Sequence, residues 1–312
     1  MTVTVGVDLG GTKIAMAAVD ADHRVLARER MVTPDGPRAV VDAIVAGVEA
    51  LGASPLAVGV GAPGPITGGV LMSAPNLVGF TEPVPLGERL EQRLGLPVVV
   101  ENDATAGVVG EWVAGAGHGS SFLLGVWLGT GVGGGLVLDG RPFRGAYGGA
   151  GEFGHLCIRQ GGALCGCGRR GCVEAYAGRA SMERAVGVSV AGGRRSRLEE
   201  IRVAKGKQRL TSGVWAKALA QGDDLAVEVI DHAVAALAAA IGSCMNLLDL
   251  DRVVIGGGLT EKLGQPLVDR IAAATVPYLM LPEPRRDFVL AALGDDAGAV
   301  GVASLAAQLV RA

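Results

Sequence analysis

The chain has 312 residues, 49% of them hydrophobic and 19% charged, with 51 glycines, five cysteines and a formal net charge of −3. That length supports two domains without cross-links, and the lack of a polar low-complexity tract excludes a disordered chain. The small negative charge offers no electrostatic footprint for nucleic acid, so no such partner is expected.

Met1 leads straight into the alternating segment TVTVGVDLGG with no secretory leader, which predicts a cytoplasmic protein. A strand over residues 3–8 ends on Asp8, and a glycine turn of Gly10, Gly11 and Thr12 follows. KIAMAAVD and RVLARERMV read as two further strands joined by the turn DADH. An amphipathic helix is predicted around 40–51, a strand from 56, and a strand LPVVVEND that runs into a helix near Ala104. Strands alternating with helices imply an α/β domain with a largely parallel sheet and an antiparallel edge.

The small-residue tract AGAGHGSS, residues 114–121, predicts a hinge. Beyond it, SFLLGVWLG, TGVGG, GLVLDG and RPFRG repeat the opening order of strand, Gly/Thr turn, strand, aspartate turn, strand. Two copies predict two related α/β domains, placed at 1–115 and 116–298, with a helix from about 299 to 312 packing back onto the first. Two glycine turns would then face each other across an active-site cleft, suited to a polyphosphate. One long helix is expected over about 214–248. Its apolar half is shorter than the roughly 20 residues a bilayer requires and holds Ser243 and Asn246, so it reads as buried, with no membrane association. RVVIGGGL reads as a strand stopping at Gly256, Gly257 and Gly258, and the basic run 194–209, with Glu199 and Glu200 inside it, as a solvated helix face.

Four stretches carry chemistry. In DLGGTK, the amides of Gly10, Gly11 and Thr12 suit close approach to phosphate oxygens, with Lys13 adding charge and Asp8 facing a cation, although an ordinary hairpin turn fits equally. GTGVGG (129–134) and GVGAPG (59–64) match G-x-G-x-x-G, but neither opens a strand–helix–strand unit, so a dinucleotide site is excluded. Gly129, Thr130 and Gly131 remain as a second phosphate hairpin. In ENDATAG, Asn102 and Asp103 end a buried strand where ligands bind in α/β domains, and serve equally well as a helix cap.

The fourth stretch holds Cys165, Cys167 and Cys172 in a C-x-C-x4-C spacing, with His155 upstream. Three thiolates and one imidazole suit a tetrahedral Zn2+ whose shell is closed, hence structural. An odd number of thiols in a reducing compartment argues against disulfides. Cys157 and Cys244 read as small core residues. Glu152 and Glu174, tethered to the same loop, are placed to accept hydrogen bonds from a polyol, or are ordinary surface glutamates.

Together, DLGGTK, ENDATAG, LGTGVGGG, GEFGH, CGCGRRGCVE and VVIGGGL resemble, in this order and over essentially the whole chain, the ROK family of sugar kinases and repressors. The likeness is nearest to its bacterial ATP-dependent glucokinases. The resemblance implies an actin-like, RNase-H-like ATPase fold closing on ATP with Mg2+ and a hexose, most simply glucose phosphorylated at its 6-hydroxyl. It implies Asp103 as general base, and Asn76, Asn102, Glu152, His155 and Glu174 as sugar contacts, with His155 also on zinc. Asp8, Gly10, Gly11, Thr12 and Lys13 then form the first phosphate motif, Gly129 to Gly131 the second, and Gly256 to Gly258 the turn near adenosine. A homodimer or homotetramer is implied as well. After APNL the family often has Pro-Gly-Trp where this chain has Val78-Gly79-Phe80, which leaves another hexose or an N-acetylated amino sugar as the alternative substrate. The family's sugar-sensing repressors carry a DNA-binding domain before the first phosphate motif, for which Asp8 leaves no room, so a sugar-sensing regulator without that domain is the further alternative, and the family's polyphosphate-dependent members tend to lack the zinc cysteines.

Overall fold

The structure, a computed structural model, describes residues 2–281 and 287–311. In chain order it opens with β1 (Thr4–Leu9), β2 (Lys13–Val19) and β3 (Val25–Val32), whose side chains alternate between half-buried and exposed, as on an edge strand with one wet face. Helix α1 (Pro37–Ala50) begins at a proline that fits the first turn, and packs its apolar stripe of Val40, Val41, Ile44 and Val48 inward. There follow β4 (Val58–Ala62), the short pair β5 (Ile66–Thr67) and β6 (Val70–Leu71), α2 (Leu86–Leu94), β7 (Val98–Asn102) and α3 (Asp103–Ala114). Next come β8 (Phe122–Leu128), β9 (Val132–Leu138) and β10 (Arg141–Pro142). Asp139 and Gly140, with φ of 54° and 64°, form the tight left-handed turn of that last hairpin. The remainder is α4 (Glu174–Ala177), α5 (Arg179–Ala191), α6 (Arg197–Ala204), α7 (Ser212–Ala220), α8 (Asp224–Leu248), β11 (Arg252–Gly256), α9 (Gly258–Leu263), α10 (Gln265–Thr275), β12 (Asp287–Leu290) and α11 (Ala297–Arg311).

Two five-stranded sheets have the same order, β3-β2-β1-β4-β7 and β10-β9-β8-β11-β12. In the first, β1 to β3 are antiparallel, while β1, β4 and β7 run parallel. In the second, β9 and β10 are antiparallel, while β8, β11 and β12 run parallel. The internal repeat expected from the sequence is thus a repeat of strand order.

The chain divides into two compact units, Met1–Ser121 with Gly135–Gly151 and Ala292–Ala312, and Phe122–Gly134 with Glu152–Ala291. Gly135–Gly151 falls in the first unit, whereas the sequence boundary at 115/116 assigns that stretch to the second half. Gly135 lies against α3, where a Cβ would come within 3.1 Å of Thr105 Cα. Helix α11 crosses β1, β2, β4 and β7 and lies along α3. Its small residues make this possible: a Cβ on Gly6 of β1 would stand 1.8 Å from the carbonyl oxygen of Ala299, and one on Gly301 1.8 Å from that of Ala106. Ala312, included in the expected helix, lies outside the described residues. Glu111 of α3 is fully buried, and its carboxylate accepts hydrogen bonds from the backbone N–H groups of Ala116, Ala292 and Leu293, fixing the turn after α3 and the lead into α11.

Three local readings change. The expected helix over 214–248 is two helices, because Gly222 takes a φ of 67° and Asp223 caps α8 by accepting from Ala226 N at 2.7 Å. Helix α8 alone is long and apolar enough to cross a membrane among the described residues, yet 67% of its apolar window is packed inside the protein, as in a core helix. Cys157 is exposed, not a core residue, since its segment pairs with the buried Cys172 through an isolated backbone bridge and its thiol points to Arg170 O, and Cys244 is half-buried.

Candidate active site

In the first unit, the parallel strands β1 and β7 end beside the turn that follows β1. Asp8 sits near the end of β1, largely buried, and its pKa is pushed up from 3.8 to about 6, first by burial and then by the negative charge of Asp103, with Lys13 opposing. Gly10 N–H closes the hairpin on Lys13 O at 3.0 Å, and Thr33 Oγ1 donates to Gly10 O at 2.7 Å. Gly11 and Thr12 are exposed, and their N–H groups carry no hydrogen bond among the described residues, so the turn offers two amides to an anion. Gly11 is required: a Cβ there would press 2.6 Å from the carbonyl oxygen of Asn76, whose own side chain is exposed. Lys13 Nζ is 3.1 Å from Asp295 Oδ2, which also meets Arg30, so its charge is shared with that carboxylate.

Asn102 and Asp103 mark the junction of β7 and α3, and the capping role read from the sequence is filled by Asn102. Asn102 Oδ1 caps α3, accepting from Thr105 N at 3.1 Å. Its Nδ2 donates to Gly64 O and to Asp103 Oδ1, each at 3.2 Å, and Ala104 N donates to the same Asp103 oxygen at 2.8 Å. Asp103 is therefore fixed in orientation by its neighbour and by the helix N-terminus, as a base acting at one position requires. Behind them, buried Glu101 accepts from Asn102 N at 3.0 Å and pairs with Arg144, a residue of the loop after β10 that no sequence pattern singled out.

Burying the Asp8 carboxylate is a liability to the fold with a definite pH dependence. A carboxyl whose folded pKa lies above its unfolded value weakens the folded state progressively as pH rises from about 4 to about 6. Asp8→Asn is expected to gain about 1–3 kcal/mol of stability at pH 7.5 and almost none near pH 4, while lowering activity. Thermal melts across that range check it, and a gain independent of pH would contradict it.

In the second unit, Gly129, Thr130 and Gly131 join β8 to β9. Gly129 N–H donates to Gly131 O at 3.0 Å, a closure like that at Gly10, while Gly129 O and Thr130 O accept from Arg179 N and Ala180 N at the start of α5. Gly131 leaves room for Glu174, whose Oε2 would be 2.2 Å from a Cβ there and accepts from Val132 N at 3.0 Å. The other carboxylate oxygen is 3.4 Å from Cys165 Sγ, so Glu174 joins the glycine hairpin to the cysteine cluster. At the end of β11, Gly256 is buried with a Cβ position only 1.7 Å from the Trp127 ring, a packing reason for glycine, while Gly257 takes a φ of 89° and Gly258 opens α9.

His155, Cys165, Cys167 and Cys172 place one ligand atom each within 4.8 Å of one another. Cys165 Sγ is 3.7 Å from His155 Nδ1, and Cys167 Sγ is 3.8 Å from Cys172 Sγ. A tetrahedron with metal–sulfur legs of about 2.3 Å has edges of about 3.8 Å, and these two separations match that edge, so the donor set suits Zn2+. Burial raises the Cys165 and Cys172 thiols, and a backbone hydrogen bond at Arg169 lowers Cys167. Nδ1 faces the sulfurs, and Nε2 lies 4.0 Å from Glu152 Oε2, leaving that edge of the ring for a second partner. Glu152 is exposed.

The family model for the ROK family matches residues 4–309. A glucokinase of Streptomyces coelicolor is 38% identical over 99% of this chain and 98% of its own length. An N-acetylmannosamine kinase of Citrobacter koseri is 36% identical over 83% of this chain and 84% of its own. The crystal structure of a ROK family glucokinase from Streptomyces griseus in complex with glucose and AMPPNP superposes with a TM-score of 0.82 at 36% identity, covering 98% of this chain and 99% of that one. With a family match over nearly its whole length and this strand order in both sheets, the chain belongs to the ROK family.

Proposed function

We propose that the protein is an ATP-dependent sugar kinase of glucokinase type, transferring the γ-phosphoryl group of ATP to the 6-hydroxyl of glucose. The observation that carries this reading is Asp103, a carboxylate aimed by Asn102 and the α3 N-terminus, in a full-length relative of glucokinases. Asp103 accepts the proton of the attacking hydroxyl. Phosphoryl transfer asks mainly for positioning and charge neutralisation, so one oriented carboxylate is enough.

The other roles follow the same reading. Asn76, Asn102, Glu152, His155 and Glu174 hold the sugar hydroxyls. Asn102 contributes chiefly by aiming Asp103, since its amide is already engaged, and Glu174 retains lone pairs beyond the two contacts described. The turn of Gly10, Gly11, Thr12 and Lys13, through the amides of Gly11 and Thr12, and the turn of Gly129, Thr130 and Gly131 receive the phosphate chain, and Gly256, Gly257 and Gly258 border the adenosine. His155, Cys165, Cys167 and Cys172 hold one structural Zn2+, which stiffens the loop bearing Glu152 and His155. Asp8 is the residue for Mg2+ brought with ATP, which neutralises phosphate charge when bound. Asp8 fits that task as a desolvated oxygen donor in the field of a second carboxylate. We further propose a cytoplasmic homodimer or homotetramer with two domains, on the strength of the family.

The second reading, an N-acetylmannosamine kinase, is favoured by the relative of that name and by Val78-Gly79-Phe80 after Asn76. The two readings separate on kcat/KM for glucose and for N-acetylmannosamine with ATP and Mg2+. Glucose is expected to be preferred by at least about tenfold, and the reverse order would move the acceptor while keeping the mechanism.

A further inference from the structure

Arg179 is the first residue of α5, half-buried, and stands where three loops of the second unit meet. Its Nη2 donates to Thr130 Oγ1 at 3.0 Å, and its Nη1 donates to Ser212 Oγ at 3.1 Å. Thr130 is the centre of the glycine hairpin, and Ser212 opens α7 with its hydroxyl 3.6 Å from where a Cβ on Gly258 would lie. The guanidinium thus ties the hairpin to the neighbourhood of the third glycine turn.

What it lacks is a bonded counter-charge, since the negative charge of Glu183 acts on it without a hydrogen bond or ion pair. Both hydrogen-bond partners are neutral hydroxyls, and among the described residues no carboxylate is hydrogen-bonded to Arg179. The nearest candidate, Glu183, is taken by Arg209 Nε at 2.7 Å and by Leu210 N. Burial and the adjacent Arg209 charge push the Arg179 pKa down. A guanidinium has five donors and prefers a bidentate anion, so a half-buried one spending two donors on hydroxyls is held in place for an anionic partner from outside. The hairpin beside it places the exposed Thr130 next to the same guanidinium.

We propose that Arg179 binds the phosphate chain of the donor nucleotide, with Thr130 and Ser212 holding its guanidinium in position. The assignment rests on the nucleotide reading of the second unit, and adds a residue that no glycine motif contains. It predicts a donor-specific defect, whereas a merely structural tie between α5, α7 and the hairpin would loosen the fold and affect both substrates.

The test is isothermal titration of Mg-ADP into wild type, Arg179→Gln and Arg179→Lys, with steady-state KM values for ATP and glucose and thermal melts alongside. Loss of a charge-assisted hydrogen bond corresponds to about 10- to 100-fold in affinity. Arg179→Gln is expected to weaken ADP and raise the KM for ATP by that factor, with the KM for glucose changed less than about twofold. Arg179→Lys keeps the charge on a shorter reach and is expected to recover part of the loss. Unchanged ADP affinity in both variants, in a wild type that binds ADP, overturns the assignment alone. Equal loss for ATP and glucose with a lowered melting temperature also overturns it, in favour of a structural tie. A wild type that binds no ADP overturns it together with the kinase reading.

Discussion

Replacing Asp103 with asparagine is expected to lower kcat by about 100- to 10,000-fold, the range associated with removing a positioned general base. The substitution keeps the shape and most hydrogen-bonding capacity of the side chain, at the first position of α3, where Asn102 Nδ2 and Ala104 N already hold one oxygen. What changes is the ability to take a proton, so the KM for glucose is expected to stay within about threefold and the loss to fall on kcat. Asn102→Ala serves as the comparison. It removes the α3 cap, costing about 1 kcal/mol of stability, and frees Asp103 to rotate, so its kinetic defect is expected to be smaller than that of the base itself. A variant Asp103→Asn with wild-type kcat would show that the proton goes elsewhere.

The second large effect concerns the cysteine cluster. Purified protein is expected to contain one zinc per chain by elemental analysis, and Cys172→Ser to contain none. Two of the three thiols are buried, so without a metal the cluster is held only by weak sulfur contacts between Cys165 and His155 and between Cys167 and Cys172. The segment from Glu152 to Glu174 has little regular structure to replace that bond, only a short turn at Phe153–His155 and isolated bridges. Loss of zinc therefore frees His155, Glu152 and the Glu174 strut at once. Activity is expected to fall at least about tenfold, the lower end of what loosening a metal shell costs. Full activity in a zinc-free, folded Cys172→Ser protein would reduce the cluster to a surface ornament.

Most of the strand plan is legible in the chain, because hydrophobic alternation and glycine turns are local signals. The repeat of strand, glycine turn, strand and aspartate turn translates into two sheets of identical order. The break between α7 and α8 is less legible, because Ala, Val and Leu on both sides suit one helix, and only the cap at Asp223 decides where it stops. The His/Cys cluster is legible because a tetrahedral metal site demands these residue types at short spacing, and the structure brings one ligand atom of each within 4.8 Å of the others. Asn102 is an intermediate case: sequence offers cap or ligand, and the structure gives the cap and the aiming of Asp103 to the same amide. Arg144, Glu111 and Arg179 are illegible beforehand, since each acts on a partner tens to hundreds of positions away. A lone arginine or glutamate carries no pattern that announces such a partner. Which sugar enters is equally a matter of pocket shape, and Val78-Gly79-Phe80 marks where that shape departs from the commoner pattern.

In the proposed reaction a sugar hydroxyl receives the γ-phosphoryl group of ATP. Its most direct measurement is coupled ADP release by the wild-type protein with ATP and Mg2+, with and without glucose, together with 6-deoxyglucose as the acceptor that lacks the reacting oxygen. ADP release is expected to depend on glucose, to be absent with 6-deoxyglucose, and to yield a sugar phosphate esterified at the 6-position. ADP release independent of any sugar, or none at all from zinc-loaded protein across a panel of hexoses and N-acetylated amino sugars, would contradict it.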